Sequence, residues 1–330
     1  MNQSAGRLLF IGVRGHSVKS EPALRELAAE GLIGGVLLLQ RNCDSRAQLQ
    51  ELCHSIHELP SPHPLYICID QEGGRVLRLP WQSIPSAHEV ASGMTVAQAE
   101  ELYAEVALEL RELGVDWNLA PVVDLNIDPT SPAIGLFGRS FSDDAATVSA
   151  YAAALVRAHR RHGVRTCHKH YPGHGSAGLD SHKGLPDITA TWQPRELVPY
   201  EQLMAQGMVD AIMTGHVLHC GVDVRWPASL SVAHVAGLRN RLGWQGAVVM
   251  DDVQMGALAH LGDPEALMLR ALGLGTDIFL AGNWLICDLE LPRRWAALAR
   301  QAMQHDDALA QALAQSIARL ERLFSTSSCG

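Results

Sequence analysis

Eight short apolar runs punctuate the chain, each bounded by Gly, Asp, Asn or Pro. They are Leu8–Val13, Gly35–Leu39, Leu65–Ile69, Asp116–Val123, Val164–His168, Asp210–Met213, Ala247–Met250 and Asp277–Leu280. None alternates strictly between apolar and polar residues, which is the pattern of a strand buried on both faces. Between them lie stretches with apolar residues at helical spacing: Pro22–Glu30, Arg46–Glu58, Val96–Leu113, Ala145–His162, Pro194–Gln206, Val232–Leu242, Pro264–Leu272 and Ala308–Leu323. Several carry start signals. Asp44 or Ser45 precedes the second, Thr95 with Gln98 three residues on precedes the third, and Asp263-Pro264 opens the seventh. Eight strand–helix alternations predict an α/β fold, a closed parallel (β/α)8 TIM barrel with its helices outside. The rival is an open doubly wound sheet. Its dinucleotide-binding version needs a GxGxxG after the first strand, and none is present.

Length alone would divide 330 residues into two domains. However, no Ser/Gly-rich linker, repeat or low-complexity segment marks a boundary, and barrels of this class run to about 250 residues and more as one domain. Residues 1–330 are therefore expected to form a single barrel domain. A chain that is 47% hydrophobic and 18% charged can build a core, so a disordered or collagen-like protein is excluded. A net charge of −9 without any run of Lys or Arg argues against a nucleic-acid partner. The apolar runs are too short to span a bilayer, so no membrane partner is expected. The opening MNQSAGRLLFIGVRGHS has no long apolar segment with a cleavage site. Seven cysteines without a CxxC pair fit reduced thiols. A cytoplasmic monomer is the expectation.

In a parallel barrel the chemistry gathers at the carboxyl ends of the strands, and there the ionisable residues cluster. Asp70-Gln71-Glu72-Gly73-Gly74-Arg75, with Arg78 beyond, follows the third run, and Asp124 follows the fourth. His168-Lys169-His170 ends the fifth, Thr214-Gly215-His216 follows the sixth, Asp251-Asp252 the seventh and Ala281-Gly282-Asn283 the eighth. Grouped charges in a concave mouth cost desolvation, so a merely structural protein has no reason to collect them. Each also has a plainer reading. Asp124 and the Asp251-Asp252 pair could cap helices, His216 could be a satisfied buried histidine, and Gly73-Gly74 could serve only a tight turn that brings Arg75 and Arg78 near the carboxylates.

The segment from Tyr171 to Ile188 reads as a loop of about eighteen residues, a length that is usually functional inside a compact domain. It carries Asp180 and His182 two apart, so in an extended segment their side chains share a side. A carboxylate beside an imidazole fixes its tautomer and suits it to general acid/base work. A metal site is the competing interpretation: His168 and His170 would share one strand face, with His174 and Asp251 completing a shell and Lys169 pointing away. Metal-dependent amidohydrolases place such an HxH pair on the first strand of the same barrel; here it lies on the fifth. No metal or other cofactor is therefore expected.

Taken together the motifs resemble those of glycoside hydrolase family 3 β-N-acetylglucosaminidases. KHYPGHG (169–175) followed by DSH (180–182) is similar to that family's KH-F-PGHG…DSH signature. IDQEGGRVLRL (69–79), GRSF (138–141) and VVMDDVQM (248–255) resemble its VDQEGGRVQR, D/E-RSF and SDDLxM segments, and DWNLAPVVDL (116–125) and PASLS (227–231) also match. The likeness covers nearly the whole chain in order, and by pattern and length it is nearest to the single-domain bacterial enzymes of peptidoglycan recycling. It implies Asp251 as nucleophile, His182 as general acid/base and Asp180 as its partner. Asp70, Arg78, Arg139, Lys169 and His170 would hold the sugar hydroxyls. Met250 before the nucleophile, Phe137-Gly138 before Arg139 and Tyr171 in place of Phe depart from the pattern without removing any of these residues. The implied reaction is retaining release of terminal β-linked N-acetylglucosamine from a glycan or from 1,6-anhydro-muropeptides. The alternatives are a phosphorylase on the same site, a metal-dependent amidohydrolase, and a non-catalytic sugar-binding barrel.

Overall fold

A computed structural model describes residues 4–284 and 286–325. Eight parallel strands close on themselves in chain order: β1 (Leu9–Gly12), β2 (Gly35–Leu38), β3 (Tyr66–Ile69), β4 (Trp117–Asn118), β5 (Arg165–Tyr171), β6 (Ala211–Thr214), β7 (Ala247–Met250) and β8 (Ile278–Ala281). The closing pair is β8 with β1, Phe10 lying opposite Leu280. Around the barrel run α1 (Pro22–Ala29), α2 (Arg46–His57), α3 (Ala87–Gly93), α4 (Val96–Leu113), α5 (Ala145–Arg161), α6 (Val198–Ala205), α7 (Val232–Ala236), α8 (Pro264–Leu274), α9 (Leu291–Met303) and α10 (Asp307–Phe324). Among the described residues no helix is long and apolar enough to cross a membrane.

The acids that begin three of the apolar runs turn out to be staples at the amino-terminal end of the barrel. Asp116, Asp210 and Asp277 precede β4, β6 and β8, and each carboxylate accepts an N–H of the preceding strand. The distances are 2.8 Å to Ile67, 3.0 Å to Thr166 and 2.8 Å to Val248. Backbone donors that would be orphaned near the barrel floor are thereby satisfied. Asp277, fully buried, also takes the guanidiniums of Arg239 and Arg319 and the Ser316 hydroxyl. The α10 helix seals this end: its Phe324 stacks on Tyr66 at 3.8 Å and meets Trp117 edge-on at 5.8 Å.

Several expected elements change at their edges. The fourth run forms a continuous ladder at Trp117–Asn118; Pro121 has no N–H to extend it, and pairing resumes as a single bridge from Val122 to Lys169. Peptide bonds Ala120–Pro121, Lys169–His170 and Tyr171–Pro172 are cis. The fifth strand runs three residues past its expected end, to Tyr171. The expected helix Pro194–Gln206 begins as a 3-10 turn over Pro194–Leu197, and Val232–Leu242 passes from α7 into a π-helical turn over Gly237–Arg241. The short α3, with a Ser86/Glu89 capping box, and α9, which buries Trp295, are additions to the expected set.

Candidate active site

All eight residues singled out by the resemblance border one cleft of about 460 Å³ at the carboxyl ends of the strands. Asp251 follows β7, Asp70 and Arg78 follow β3, Arg139 lies in the β4–α5 loop, Lys169 and His170 end β5, and Asp180 and His182 ride the loop beyond it.

The floor is a chain of opposed charges. The Lys169 ammonium lies 2.7 Å from both Asp70 Oδ1 and Glu72 Oε1. Arg78 approaches the other oxygen of Asp70 at 3.4 Å. Glu72 accepts two bonds from Arg139, from Nε and from NH2, each 2.8 Å. Burial would push both carboxyls up, but the neighbouring cations outweigh it. Lys169 and Arg78 hold Asp70 below its usual value, and Arg139 and Lys169 hold Glu72 far below. The Gly73-Gly74 turn, both residues at positive φ, folds the segment so that Arg78 returns to Asp70. Gln71 fixes that return: its side-chain oxygen accepts from the Arg78 amide at 2.8 Å, while its own amide donates to Asn118 at 3.0 Å.

Contrary to the metal interpretation, Lys169 points into the cleft and His168 does not. The register of β5 against β6 shifts between His168 and Tyr171, so the simple two-residue alternation ends there. His168 is fully buried outside the cleft, where burial lowers its pKa to about 4. His170 faces the cleft and donates through Nδ1 to Asp124 Oδ2 at 2.8 Å. Asp124 is not a helix cap: its other oxygen accepts the amides of His170 and His174, which shapes the turn after β5. His174 is buried with Nε2 3.2 Å from the Ser181 hydroxyl. Among the described residues no three His, Cys, Asp or Glu side chains are grouped to hold a metal.

Asp180 and His182 meet as expected, although through a turn and not an extended segment. One oxygen of Asp180 accepts both the His182 amide, at 3.0 Å, and its ring Nδ1, at 2.9 Å. Burial pushes Asp180 up, but these bonds bring its pKa below the usual value. The imidazole is 64% exposed at the cleft mouth, so a ligand can reach it. The loop is pinned on both sides. The Ala257 amide donates to Ser181 O at 3.0 Å, and the Ser131 hydroxyl donates to Ala177 O at 2.8 Å. Gly175 packs so closely on Leu125 that a Cβ there would lie 1.7 Å from its carbonyl oxygen.

Asp251 accepts the Asp252 amide on Oδ1 at 2.8 Å, and among the described residues nothing engages Oδ2. Burial raises its pKa, yet the imidazoles of His216 and His170 and that amide bring it down to about 2. It is an anion at neutral pH. Asp252 goes the other way, to about 6, through burial and the charge of Asp251. Asp252 is the structural member of the pair: it accepts the amides of Gln254 and Gly282. No α-helix follows for the pair to cap: the chain beyond makes only a 3-10 turn, Gly256–Leu258. His216 fits the plainer reading, with Nδ1 accepting from Ser229 and Nε2 donating to the Asp252 carbonyl.

Glu72 and Asp124 join the site without having been among its expected members, although both stand at strand ends. Glu72 is two residues from Asp70, and the same-side rule applied to Asp180 and His182 is the signal that points to it.

A parallel barrel whose carboxyl-end cleft sets an anionic aspartate, an aspartate–histidine pair and a floor of paired cations together has the parts of a glycoside-cleaving enzyme. Comparison with known proteins gives the family. Residues 2–323 match the glycosyl hydrolase family 3 N terminal domain, and the chain belongs to that family. It is similar to a β-hexosaminidase from Xylella fastidiosa (strain M23), 35% identical over 296 residues, covering 86% of this chain and 84% of that one. Over 330 residues it is 30% identical to β-hexosaminidase A from Pseudoalteromonas piscicida, covering 92% of this chain. It also superposes on a family 3 β-N-acetylglucosaminidase from Paenibacillus sp. str. FPU-7 with a TM-score of 0.86 and 31% identity, over 98% of this chain. The chain spans 55% of the Pseudoalteromonas protein's length and 62% of the Paenibacillus chain.

Proposed function

We propose that this chain is a retaining β-N-acetylhexosaminidase that releases terminal β-linked N-acetylglucosamine, with 1,6-anhydro-muropeptides of peptidoglycan recycling as its substrates. The observation that carries the reading is the joint presence of Asp251, the Asp180–His182 pair and the cationic floor in one cleft. The names of the relatives support the sugar. The free thiols, Cys43, Cys53, Cys68 and Cys167 among them, support a reducing, cytoplasmic setting.

In the first step a carboxylate oxygen of Asp251 bonds to the anomeric carbon as the glycosidic bond breaks, and His182 gives its Nε2 proton to the leaving oxygen. In the second step His182 takes a proton from water, the water oxygen bonds to the anomeric carbon, and Asp251 is released. Retaining enzymes usually perform this with two carboxyl groups. Imidazole titrates near neutral pH and so can serve as acid and then base. Asp180 stays ionised and stabilises the imidazolium. The donors of Arg78, Arg139, Lys169 and His170 orient the sugar hydroxyls as positive charge builds at the anomeric carbon.

A panel of aryl β-glycosides of N-acetylglucosamine, glucose and xylose, run with and without phosphate, tests the activity. The reading expects N-acetylglucosamine to be preferred and free sugar to be the product in both buffers. A preference for glucose would overturn the peptidoglycan substrate, and a sugar phosphate as product would make the protein a phosphorylase.

A further inference from the structure

The turn after β5 joins two parts of the site: His170 enters it from the strand, and the loop with Asp180 and His182 leaves it. The turn is held from several sides. The Gly173 amide donates to His170 O at 2.8 Å, Asp124 accepts the amides of His170 and His174, and Trp192 Nε1 donates to Pro172 O at 3.0 Å. Behind Gly173 lies Glu196, fully buried, from the 3-10 turn that leads into α6. A Cβ on Gly173, which sits at positive φ, would come 2.5 Å from Glu196 Oε2 and 2.9 Å from its Cβ, so this side chain packs where only a glycine leaves room. Glu196 Oε1 accepts the Gln193 amide at 2.9 Å. Its Oε2 is buried and has no partner among the described residues, and neither has the Tyr200 hydroxyl one helical turn further on.

Capping accounts for only one oxygen of this carboxyl. A glutamate that closes a helix start is stabilised as an anion and ordinarily reaches water. Here the second oxygen would carry charge without a donor, and the buried carboxylate of Asp124, at the end of β4, faces it as a like charge. The other groups around it are Tyr200 on α6 and Arg195, which is exposed and donates to Gln193 and to Asp143 O. His170, in the turn, meets Asp124 and not Glu196. We propose that Glu196 is a positioning residue for the reaction: by packing its carboxyl on Gly173 it braces the turn that aims His170 and launches the loop bearing His182. It does so as an uncharged acid. Burial pushes its pKa up to about 8, opposed by the Gln193 amide and reinforced by Asp124. Above that pH a carboxylate is buried without a donor, and the cost is relieved by admitting water behind Gly173. The turn then shifts, and the His170–Asp124 pair and the His182 loop shift with it.

The inference rests on the hexosaminidase reading above, and the test separates the two. The substrate is an aryl β-N-acetylglucosaminide with a good leaving group, and kcat/KM is followed from pH 6 to 9.5. This quantity covers only the first step, in which such a leaving group needs little help from His182, so a loss in alkali does not report that imidazole. The wild-type value should fall about tenfold between pH 7 and 9, as for one acid titrating near 8. Glu196→Gln, of the same shape and neutral at every pH, should match wild type at pH 6.5 and lose less than about twofold by pH 9. Glu196→Ala should lose roughly tenfold to a hundredfold already at pH 6.5, because the turn is no longer braced. A merely structural role would leave the alkaline fall in the Gln variant as it is in wild type. That result, or an Ala variant as active as wild type, would overturn the proposal. Thermal unfolding gives a second readout that needs no substrate. The native carboxyl keeps its proton to about pH 8 and the unfolded one loses it near 4.5, so wild-type stability should fall relative to Glu196→Gln as pH rises between these values. A Tm difference that does not change with pH would overturn the uncharged state and with it the proposal. The expected Tm trend without cleavage by any of the three proteins would overturn the hexosaminidase reading instead.

Discussion

The carboxylate of Glu72 grips the guanidinium of Arg139 with both oxygens, at 2.8 Å each, and is only 7% exposed. Lys169 shares the same carboxylate at 2.7 Å. Two of the proposed sugar-holding cations are thus aimed by one acid. Glu72→Gln keeps the shape and removes the charge that both cations face. Breaking a buried pair of this kind costs about 3–5 kcal/mol, part of which relaxation recovers. We expect a loss of roughly tenfold to a hundredfold in kcat/KM on an aryl N-acetylglucosaminide, mostly through KM, with a lowered Tm. Steady-state kinetics together with thermal unfolding measure this. Kinetics within twofold of wild type would remove Glu72 from the site.

The Asp180–His182 pair predicts a dependence on leaving group. Without the imidazole no proton reaches the leaving oxygen, which matters little for a good leaving group and much for a poor one. His182→Ala should therefore lose about 10²–10⁴-fold on a disaccharide and far less in the first step on an activated aryl glycoside. Asp180→Asn should show the same trend more weakly. Equal losses on both substrates would contradict an acid/base role.

His159 gives the fold a defined pH dependence. Its Nδ1 donates to Leu155 O at 2.9 Å, and its Nε2 accepts from the Asn118 amide at 3.0 Å, so the ring is locked in a neutral tautomer. Burial lowers its pKa to about 4. Between pH 6.5 and 4 the unfolded chain binds this proton and the native chain does not, so stability falls as pH falls through that window. The contribution is up to ~1.4 kcal/mol per pH unit for one such group. His168 and His174, also buried and lowered to about 4, add the same sign. Thermal unfolding from pH 7.5 to 4.5 should show a falling Tm, with a shallower slope in His159→Leu. An unchanged slope would show that the ring does not carry this linkage.

The absence of a metal-ligating constellation among the described residues makes chelation another test. Activity should persist after prolonged chelation and dialysis. Loss that zinc or another divalent ion restores would favour the amidohydrolase reading.

Much of the architecture is legible in the order of residues along the chain. Each of the eight apolar runs overlaps a barrel strand, because parallel strands buried on both faces leave uninterrupted hydrophobic segments. The eight site residues converge on one cleft because the barrel puts successive strand ends in a ring. Local rules fail where tertiary contacts decide. Lys169 and His170 both face the cleft because the β5 register breaks after His168, whereas strict alternation would set these neighbours on opposite sides. Asp116, Asp210 and Asp277 read as strand residues but staple neighbouring strands, a role that exists only once those strands are side by side. The α9 helix, absent from the expected set, does carry a helical period: Leu291, Trp295 and Ala299 recur four apart and are all buried.

Trapping the glycosyl-enzyme tests the role of Asp251 most directly. The protein is incubated with a fluorinated N-acetylglucosaminide that reacts readily and is released slowly, then digested and mapped by peptide mass spectrometry. A covalent sugar on Asp251, absent from Asp251→Ala, is the predicted result. A sugar on Asp252 or another residue, or active enzyme that releases inverted sugar without any adduct, would contradict it.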